Sequence, residues 1–268
     1  MATVQMRPLL QDSHNYEIVT MQPGVHSQQQ WMSVPRAPAS CPPGLEYLAM
    51  IDQLLCQQKV SLAEVFIGWE SNNKYVVLNS VGQQIFYAFE DTDACSRMCC
   101  GNQREFTIHI VNNFNQEVMK IYRPFKCFAG CCWCATLDSC AHETFVEAPV
   151  GVPIGSVRQL SSGCTFDYAI KDAVGETQLI IDGPCMMCRC CADVEFPIFT
   201  KDKRTRVGCV TKQYSGLLKE MYSDADNFGI TFPLDLDVKI KATLMGAMFL
   251  IDFMAFENSD KKGCLSLL

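Results

Sequence analysis

The chain has 268 residues, 49% of them hydrophobic, so it can bury one good core and its length does not require a second domain. Its net charge of -7 argues against a broad nucleic-acid-binding surface, which depends on clustered lysine and arginine. No charged start is followed by an apolar run, so we expect no secretory signal, and we expect the 17 cysteines to be reduced thiols rather than a disulfide framework.

The first predicted segment, residues 1–40, is rich in Gln, Ser, Pro and Met and has no apolar period, which predicts a disordered arm. Such an arm is a candidate for contacts with protein partners. Apolar residues then recur at helical spacing from Leu45 to Leu55, after a Pro-Gly start. This spacing predicts a short amphipathic helix at the beginning of a folded domain, residues 41–257.

From Ala63 to Phe232 the sequence consists of short alternating runs separated by turn residues, which predicts about twelve strands. Strands at this spacing are typical of a barrel or a sandwich. The predicted strands are VFIGW, KYVVLNS, QIFYAFE, EFTIHIV, VMKIY, TFVEA, IGSVRQL, TFDYAIK, TQLIID, VEFPIF, RVGCVTK and FGITF.

The last predicted element is an apolar helix, residues 238–256, followed by a short polar tail, residues 258–268. The helix has no polar stripe, so it must be enclosed by something. One interpretation is a single membrane span, since its length of about 28 Å is close to the hydrocarbon thickness, although Asp252 near its end is costly in lipid. The other is a core helix enclosed by the predicted sheet.

The stretch before this helix, DADNFGITFPLD, matches part of an EF-hand calcium loop, whose pattern is D-x-[DN]-x-[DN]-G-x5-E. Asp224, Asp226, Gly229 and Asp235 occupy positions 1, 3, 6 and 12. Positions 5 and 9 are phenylalanines without a side-chain oxygen, so the sequence predicts a weak site, with a dissociation constant of roughly 10⁻⁴ to 10⁻³ M.

The same stretch has a purely structural interpretation. An acidic turn would lead into a strand with Phe228, Ile230 and Phe232 on one face, and a proline would end the strand. Either Asp235 or Asp237 would then cap the following helix.

Three cysteines at Cys131, Cys132 and Cys134 lie between predicted strands beside aromatic residues. Adjacent exposed thiols of this kind are typical sites of S-acylation, and two or more acyl chains anchor a protein stably. Zinc is an alternative, because Cys131-x2-Cys134 and Cys185-x2-Cys188 have the spacing of paired zinc ligands. Buried, inert thiols are a third.

Motifs that support enzymatic catalysis are missing from the sequence. There is no HExxH, P-loop, GxSxG or GxGxxG pattern, and the four histidines are scattered. The sequence therefore predicts a protein that is not an enzyme.

The chain resembles the phospholipid scramblases over about Cys41 to Glu257. The segments that carry the resemblance are CPPGLEYLAMIDQLL, NNKYVVLNSVGQ, AFEDTDACSRMCCG, YRPF, EAPVGVPIG, DGPCMMCRCCADVEF and DADNFGITFPLDLDVKIKATLMGAMFLIDFMAFE. The resemblance implies a mainly β, Tubby-like fold, a closed antiparallel barrel of about twelve strands around the apolar C-terminal helix. It also implies Ca²⁺-dependent, ATP-independent movement of membrane phospholipids between leaflets.

The resemblance also assigns site residues. The calcium loop falls on Asp224, Asp226, Phe228, Ile230, Phe232 and Asp235, in which Phe and Ile offer only backbone carbonyls. The palmitoylated run falls on Cys131, Cys132 and Cys134. The import segment of some members aligns with Gly208 to Gly216, where Cys209 replaces an expected lysine, so a nuclear pool is not expected.

Two functions are compatible with these features. The first is a palmitoylated lipid scramblase of the plasma membrane, held at the cytosolic face or as a single-pass type II protein, with a Ca²⁺-induced oligomer as a further expectation. The second is a lipid-tethered binding or signalling module, with nuclear partners among its candidates, whose helix stays in the barrel core.

Overall fold

The computed structural model describes residues 30–36, 38–59, 73–92, 100, 103–126, 135–163, 165–185, 194–213 and 227–256. A short 3-10 helix, Glu46–Met50, precedes the strands, and the helix α1, Val238–Ala255, follows them. The strands are β1 (Gln53–Gln58), β2 (Lys74–Leu78), β3 (Gln84–Asp91), β4 (Phe106–Val111), β5 (Glu117–Arg123), β6 (Glu143–Glu147), β7 (Pro153–Gln159), β8 (Tyr168–Asp172), β9 (Thr177–Ile181), β10 (Val194–Thr200), β11 (Arg206–Gln213) and β12 (Asn227–Thr231).

The strands form a closed antiparallel barrel in which each strand pairs with its neighbours in sequence. The barrel closes between β1 and β12, where Leu54 lies opposite Ile230. Strands β2 to β12 coincide with eleven of the predicted runs. The predicted fold class, a mainly β closed barrel of twelve strands around an apolar C-terminal helix, is confirmed.

The predicted amphipathic helix through Leu55 is wrong beyond Met50. The 3-10 helix ends there, and Gln53–Gln58 is strand β1, with Leu54 and Cys56 buried in the barrel. The apolar residues of this segment are compatible with both the helical period of 3.6 residues and the strand period of two. Pairing with β12 on one side and β2 on the other favours the strand. The predicted strand VFIGW lies outside the described residues.

Helix α1 begins at a well-defined cap. The Asp237 carboxylate accepts hydrogen bonds from the backbone N–H groups of Lys239 and Ile240, at 2.8 and 3.3 Å. Every side chain described from Ala242 to Met254 is buried, on all faces of the helix. The enclosed-helix interpretation is therefore confirmed for this structure. Among the described residues, no helix combines the length and the apolarity that crossing a membrane requires.

The path of α1 distinguishes two ends of the barrel. We call the end where α1 begins the top, and the end where α1 finishes the bottom. Because all strands are antiparallel, the connections from β2 to β3, β4 to β5, β6 to β7, β8 to β9 and β10 to β11 lie at the top. The connections that leave β1, β3, β5, β7, β9 and β11 lie at the bottom.

The fit of α1 can be tested at Gly246. A Cβ atom there would lie 2.8 Å from Cγ2 of Val146 and 3.8 Å from Cγ2 of Ile121. We expect Gly246→Leu to lower the free energy of unfolding by about 1 to 3 kcal/mol, because a close-packed core does not accept extra methylenes. Denaturant titration would measure the loss.

Lys239→Leu is the matched control, since it places the same side chain at an exposed position of the same helix. We expect it to change stability by less than about 0.5 kcal/mol. Adding Val146→Ala to Gly246→Leu should make the pair less costly than the sum of the single changes. Equal effects of the two leucines would show that α1 does not sit against β6.

Candidate functional site

Two of the predicted calcium-loop residues lie on one face of β12, and a third, Phe232, follows the strand directly. The side chains of Phe228, Ile230 and Phe232 are all buried in the core. β12 pairs with β1 on one side and β11 on the other, so its backbone N–H and C=O groups point towards these two strands. The strand and buried face of the structural interpretation are thus observed, and Asp237, one of its two proposed caps, caps α1.

The remaining residues of the predicted loop are separated by this strand. Asp224 and Asp226 lie outside the described residues, but the chain enters β12 at Asn227, at the bottom of the barrel. Asp235 is exposed at the top, beyond the other end of β12. Asn227 and Thr231 are about 13 Å apart along an extended strand. The described part of the segment is therefore extended rather than wrapped around one centre, and calcium binding stays a prediction.

Lys241 ties the beginning of α1 to the top of the barrel. Its Nζ donates to the backbone carbonyls of Leu48, Ile51 and Leu234, at 3.0, 2.8 and 2.7 Å. Burial lowers the pKa of Lys241, while the nearby carboxylates of Asp52 and Asp235 act in the opposite direction. The three carbonyls belong to segments before and after the strands, so one buried ammonium fixes both to the helix.

An ion pair lies inside the bottom of the barrel. Arg104 Nη2 donates to Glu90 Oε1 at 3.0 Å, and both side chains are buried. Glu90 also accepts hydrogen bonds from Asn73 and Thr92. The Arg104 guanidinium stands over the ring of Phe253, with its Cζ 4.9 Å from the ring centroid. The last turn of α1 is thus in contact with a charged group rather than only with apolar side chains.

A second polar group follows on the inner wall of β5, β6 and β7. Arg123 Nη2 donates to Nδ1 of His142 at 3.1 Å, and the His142 backbone N–H donates to Gln159 Oε1 at 3.2 Å. Because a guanidinium can only donate, Nδ1 is the acceptor and Nε2 carries the imidazole proton. Burial, followed by the charge of Arg123, lowers the pKa of His142 to about 3. His142 is therefore neutral.

This wall contains buried polar atoms without a hydrogen-bond partner among the described residues: His142 Nε2, Thr144 Oγ1 and Gln159 Nε2. Native cores rarely contain several such atoms close together. The bottom of the barrel therefore has a polar interior, and it differs from the apolar middle that surrounds α1.

The end of α1 also meets a third cation, Lys212 of β11. Its Nζ lies 4.4 Å from the ring centroid of Phe256 and 5.2 Å from that of Phe228. The side chain of Lys212 is buried, so the part of the predicted import segment that the structure describes points its lysine into the barrel.

Asp252 of α1 is also buried at the bottom of the barrel. Burial raises the pKa of the Cys56 thiol, and the negative charge of Asp252 raises it further.

The predicted acylation residues Cys131, Cys132 and Cys134 lie outside the described residues. Their segment belongs to the connection from β5 to β6, and the strand ends that it joins lie at the bottom. Of the alternative zinc ligands, Cys185 is half-buried and Cys188 is outside the described residues. In the part of the chain that the structure describes, no three His, Cys, Asp or Glu side chains are grouped to hold a metal ion.

A family model described as Scramblase matches residues 32–258. The chain belongs to the scramblase family. Phospholipid scramblase 2 of Bos taurus is 49% identical and covers 90% of this chain and 81% of its own length. Phospholipid scramblase 1 of Homo sapiens is 50% identical, over 87% and 71%. A solved structure of an Arabidopsis thaliana protein matches 76% of this chain and 94% of that chain, with 9% identity and a TM-score of 0.41.

Sequence reasoning missed the polar residues inside this scramblase barrel, namely Glu90, Arg104, Arg123, His142 and Lys212. A signal for three of them was present. Glu90, Arg123 and Lys212 continue the inward-facing register of apolar neighbours on strands β3, β5 and β11. A charged residue in phase with a buried face indicates an internal polar site.

The neutral state of His142 predicts a pH dependence of stability. His142 takes up a proton near pH 6.5 in the unfolded chain and only near pH 3 in the folded chain. Its contribution to the free energy of unfolding is therefore fully present above about pH 6.5 and is lost as the pH decreases towards 3. Between pH 7 and pH 5 we expect the wild type to lose about 2 kcal/mol from this group.

His142→Asn is the variant that tests this, because its side-chain oxygen can still accept from Arg123 but does not titrate. Urea titrations at both pH values should show a smaller loss for the variant, while carboxylates contribute equally to both proteins. The same loss in the variant as in the wild type would contradict a buried neutral His142.

Proposed function

We propose that this scramblase-family chain moves phospholipids between the two leaflets of a membrane, down their gradient, without ATP and without covalent chemistry. The observation that carries the proposal is the similarity to proteins named phospholipid scramblase, at 46 to 50% identity over 87 to 90% of the chain for the bovine and human relatives. A protein that only lowers a barrier to lipid exchange needs no nucleophile and no general base, in agreement with a sequence that has no catalytic motif.

The filled barrel restricts how a lipid could move. Side chains of α1 occupy the interior along its length, and Lys241 fixes the beginning of the helix through three carbonyls. A lipid therefore cannot pass through the barrel in this conformation. We propose that lipids exchange at the outer surface of the membrane-associated barrel, or in a state in which α1 has left it.

We propose that Ca²⁺ triggers this exchange through a weak site on the predicted loop of Asp224, Asp226, Phe228, Ile230, Phe232 and Asp235. The carboxylates at its two ends would supply the hard oxygen ligands that Ca²⁺ prefers. The support is the acidic sequence on both sides of β12, the strand that leads directly into α1. A change at the top end of β12 would reach the helix through a connection of only a few residues, and a change at the bottom end would reach it through the strand itself.

Reconstituted liposomes that contain a fluorescent phospholipid would test the calcium step. We expect Asp224→Asn and Asp226→Asn to raise the Ca²⁺ concentration for half-maximal scrambling by about tenfold, because each removes a charged ligand from a site with few of them. Asp235→Asn should have a smaller effect, since β12 separates it from the others.

Asp91→Asn is the control, because Asp91 is an exposed carboxylate of β3. Unchanged calcium dependence in all three loop variants would reject the trigger while leaving lipid movement itself intact. Light scattering of the same samples would show whether Ca²⁺ also induces an oligomer.

We further propose that palmitate on Cys131, Cys132 and Cys134 holds the chain at the cytosolic face of the plasma membrane. Several acyl chains are needed for stable anchoring, and these three thiols lie within four residues of one another. Support also comes from the position of these thiols in the connection from β5 to β6, between two strand ends at the bottom of the barrel.

The triple variant with serine at these positions should lose its label from a palmitate analogue, and alkaline carbonate should release it from membranes of expressing cells. Cys264→Ser, in the polar tail, is the matched control and should stay bound. Full labelling of the triple variant would reject these thiols as the acylated residues. Loss of bound zinc in the triple variant, measured on purified protein, would instead favour the zinc alternative.

A second candidate function is a lipid-tethered binding or signalling module. The observation that favours it is the burial of α1 from Ile240 to Met254, which leaves no conduit through the barrel. Scrambling by purified wild-type protein in liposomes would exclude this as the sole function. Its absence under all calcium concentrations, with membrane attachment intact, would support it.

A further inference from the structure

Three hairpins at the top of the barrel are built in the same way. In the turns after β2, β4 and β8, an Asn or Asp side chain accepts hydrogen bonds from the backbone N–H groups two and four residues later. Asn79 accepts from Val81 and Gln83 at 3.2 and 2.8 Å. Asn112 and Asp172 make the corresponding bonds at 2.9 to 3.0 Å. Each turn is therefore fixed by hydrogen bonds from its own backbone to the side chain of its first residue.

The same position of each turn carries an apolar side chain that points into solvent. Val81, Phe114 and Val174 are 75, 67 and 83% exposed. The residue that follows has a positive φ in each case, and it is Gly82, Asn115 or Gly175. These apolar residues stand at the outermost points of rigid turns.

Turn geometry does not explain these residues. In each turn the first residue, Asn or Asp, accepts the hydrogen bonds, and the fourth residue adopts the positive φ. The third residue, which is the apolar one, therefore needs no special side chain. Exposed turn positions are normally filled by polar residues, and a solvent-exposed Val or Phe contributes little to the stability of the barrel. Repetition on three hairpins of one end indicates an external contact.

Two more connections at the top extend the set. Val150, between β6 and β7, and Leu234, between β12 and α1, are also exposed. We call Val81, Phe114, Val150, Val174 and Leu234 the apolar tips. Neighbouring tips on successive hairpins are two strands apart, about 10 Å along the barrel wall. They form separate projecting points rather than one continuous patch.

The charges between the apolar tips are of both signs. The hairpin from β10 to β11 presents Lys201 and Arg204, and Lys201 is 3.5 Å from Glu176 of the neighbouring hairpin. Asp235 and Asp237 are exposed near Leu234. A mixture of cations and anions around apolar points matches a zwitterionic headgroup layer, which contains phosphates and ammonium groups and covers apolar acyl chains.

We propose that the top of the barrel docks on a phospholipid bilayer, with the apolar tips inserted among the headgroups. The choice of a lipid surface rests on the proposed function, whereas the tips themselves are a feature of the fold. Insertion buries apolar side chains that the fold leaves in water, and rigid turns lose little conformational freedom on binding. Because the surrounding charges are mixed, docking depends on apolar insertion more than on anionic lipid.

Vesicle sedimentation with full-length protein, produced without acylation, tests the inference. The probe is a phosphatidylcholine vesicle, with and without phosphatidylserine. Val81→Ser, Phe114→Ser and Val174→Ser are combined, since serine suits turn positions and should leave the barrel folded. We expect a drop in the partition coefficient of at least tenfold, on both vesicles and with little dependence on salt.

The matched control combines Phe125→Ser, Leu137→Ser and Phe145→Ser, which removes three exposed apolar side chains away from the top. It should bind vesicles as the wild type does. Phe114→Trp should also become quenched by brominated phosphatidylcholine, and Phe125→Trp should not. Equal binding of the two triple variants, or no quenching at position 114, would overturn the inference.

The docking surface and the proposed function can each be rejected without the other. Tip-dependent vesicle binding without lipid movement in reconstituted liposomes would retain the docking surface and reject scrambling. Lipid movement in liposomes with vesicle binding that does not depend on the tips would retain scrambling and reject the docking surface.

Discussion

A helix that is apolar on every face must be covered on every face, and the rest of this structure depends on covering α1. A closed barrel meets that requirement without leaving a strand edge. The contact is close: Gly246 leaves no room for a side chain beside Val146, and Phe253 stacks on Phe106 with ring centroids 4.3 Å apart. The apolar inner face of nearly every strand is a consequence of this single requirement.

The two ends of the helix are held by different chemistry. At the top, Lys241 replaces its water shell with three backbone carbonyls. At the bottom, Arg104 lies over the ring of Phe253 in α1, and Lys212 lies over the ring of Phe256, the residue that follows the helix. Arg123 lies over Phe106 of β4, the ring on which Phe253 stacks. Moving α1 out of the barrel would leave carbonyls and buried cations without these contacts, in addition to exposing the apolar core. The barrel therefore stabilises the enclosed helix. A state in which α1 has left the barrel would require new surroundings both for the helix and for the barrel interior.

Much of the fold could be predicted because strand patterning is local. Eleven runs with a period of two predict strands β2 to β12. The apolar helix had two interpretations, a membrane span and a core helix, and the family resemblance implied the second. The first strand was missed because Leu54 and Leu55 fit either period, and only pairing with β12 and β2 decides between them. The internal charges were missed for a related reason. Whether Arg123 or Lys212 points inward depends on register, and their partners come from other strands or from α1.

The proposed anchors lie at opposite ends of the barrel, and this constrains how the protein can sit on one bilayer. The connection that contains the proposed acylation residues joins strand ends at the bottom, and the apolar tips project from the top. Helix α1 runs from the top to the bottom, and its 18 residues span about 27 Å, which is the approximate separation of the ends. Five residues of extended chain between Lys126 and Cys131 reach at most about 17 Å. If both anchors engage one surface, the barrel cannot stand upright on its tips and must lean towards its β5 to β6 side. Such a tilt would bring the outer surface of the strands, rather than the filled interior, against the lipid headgroups.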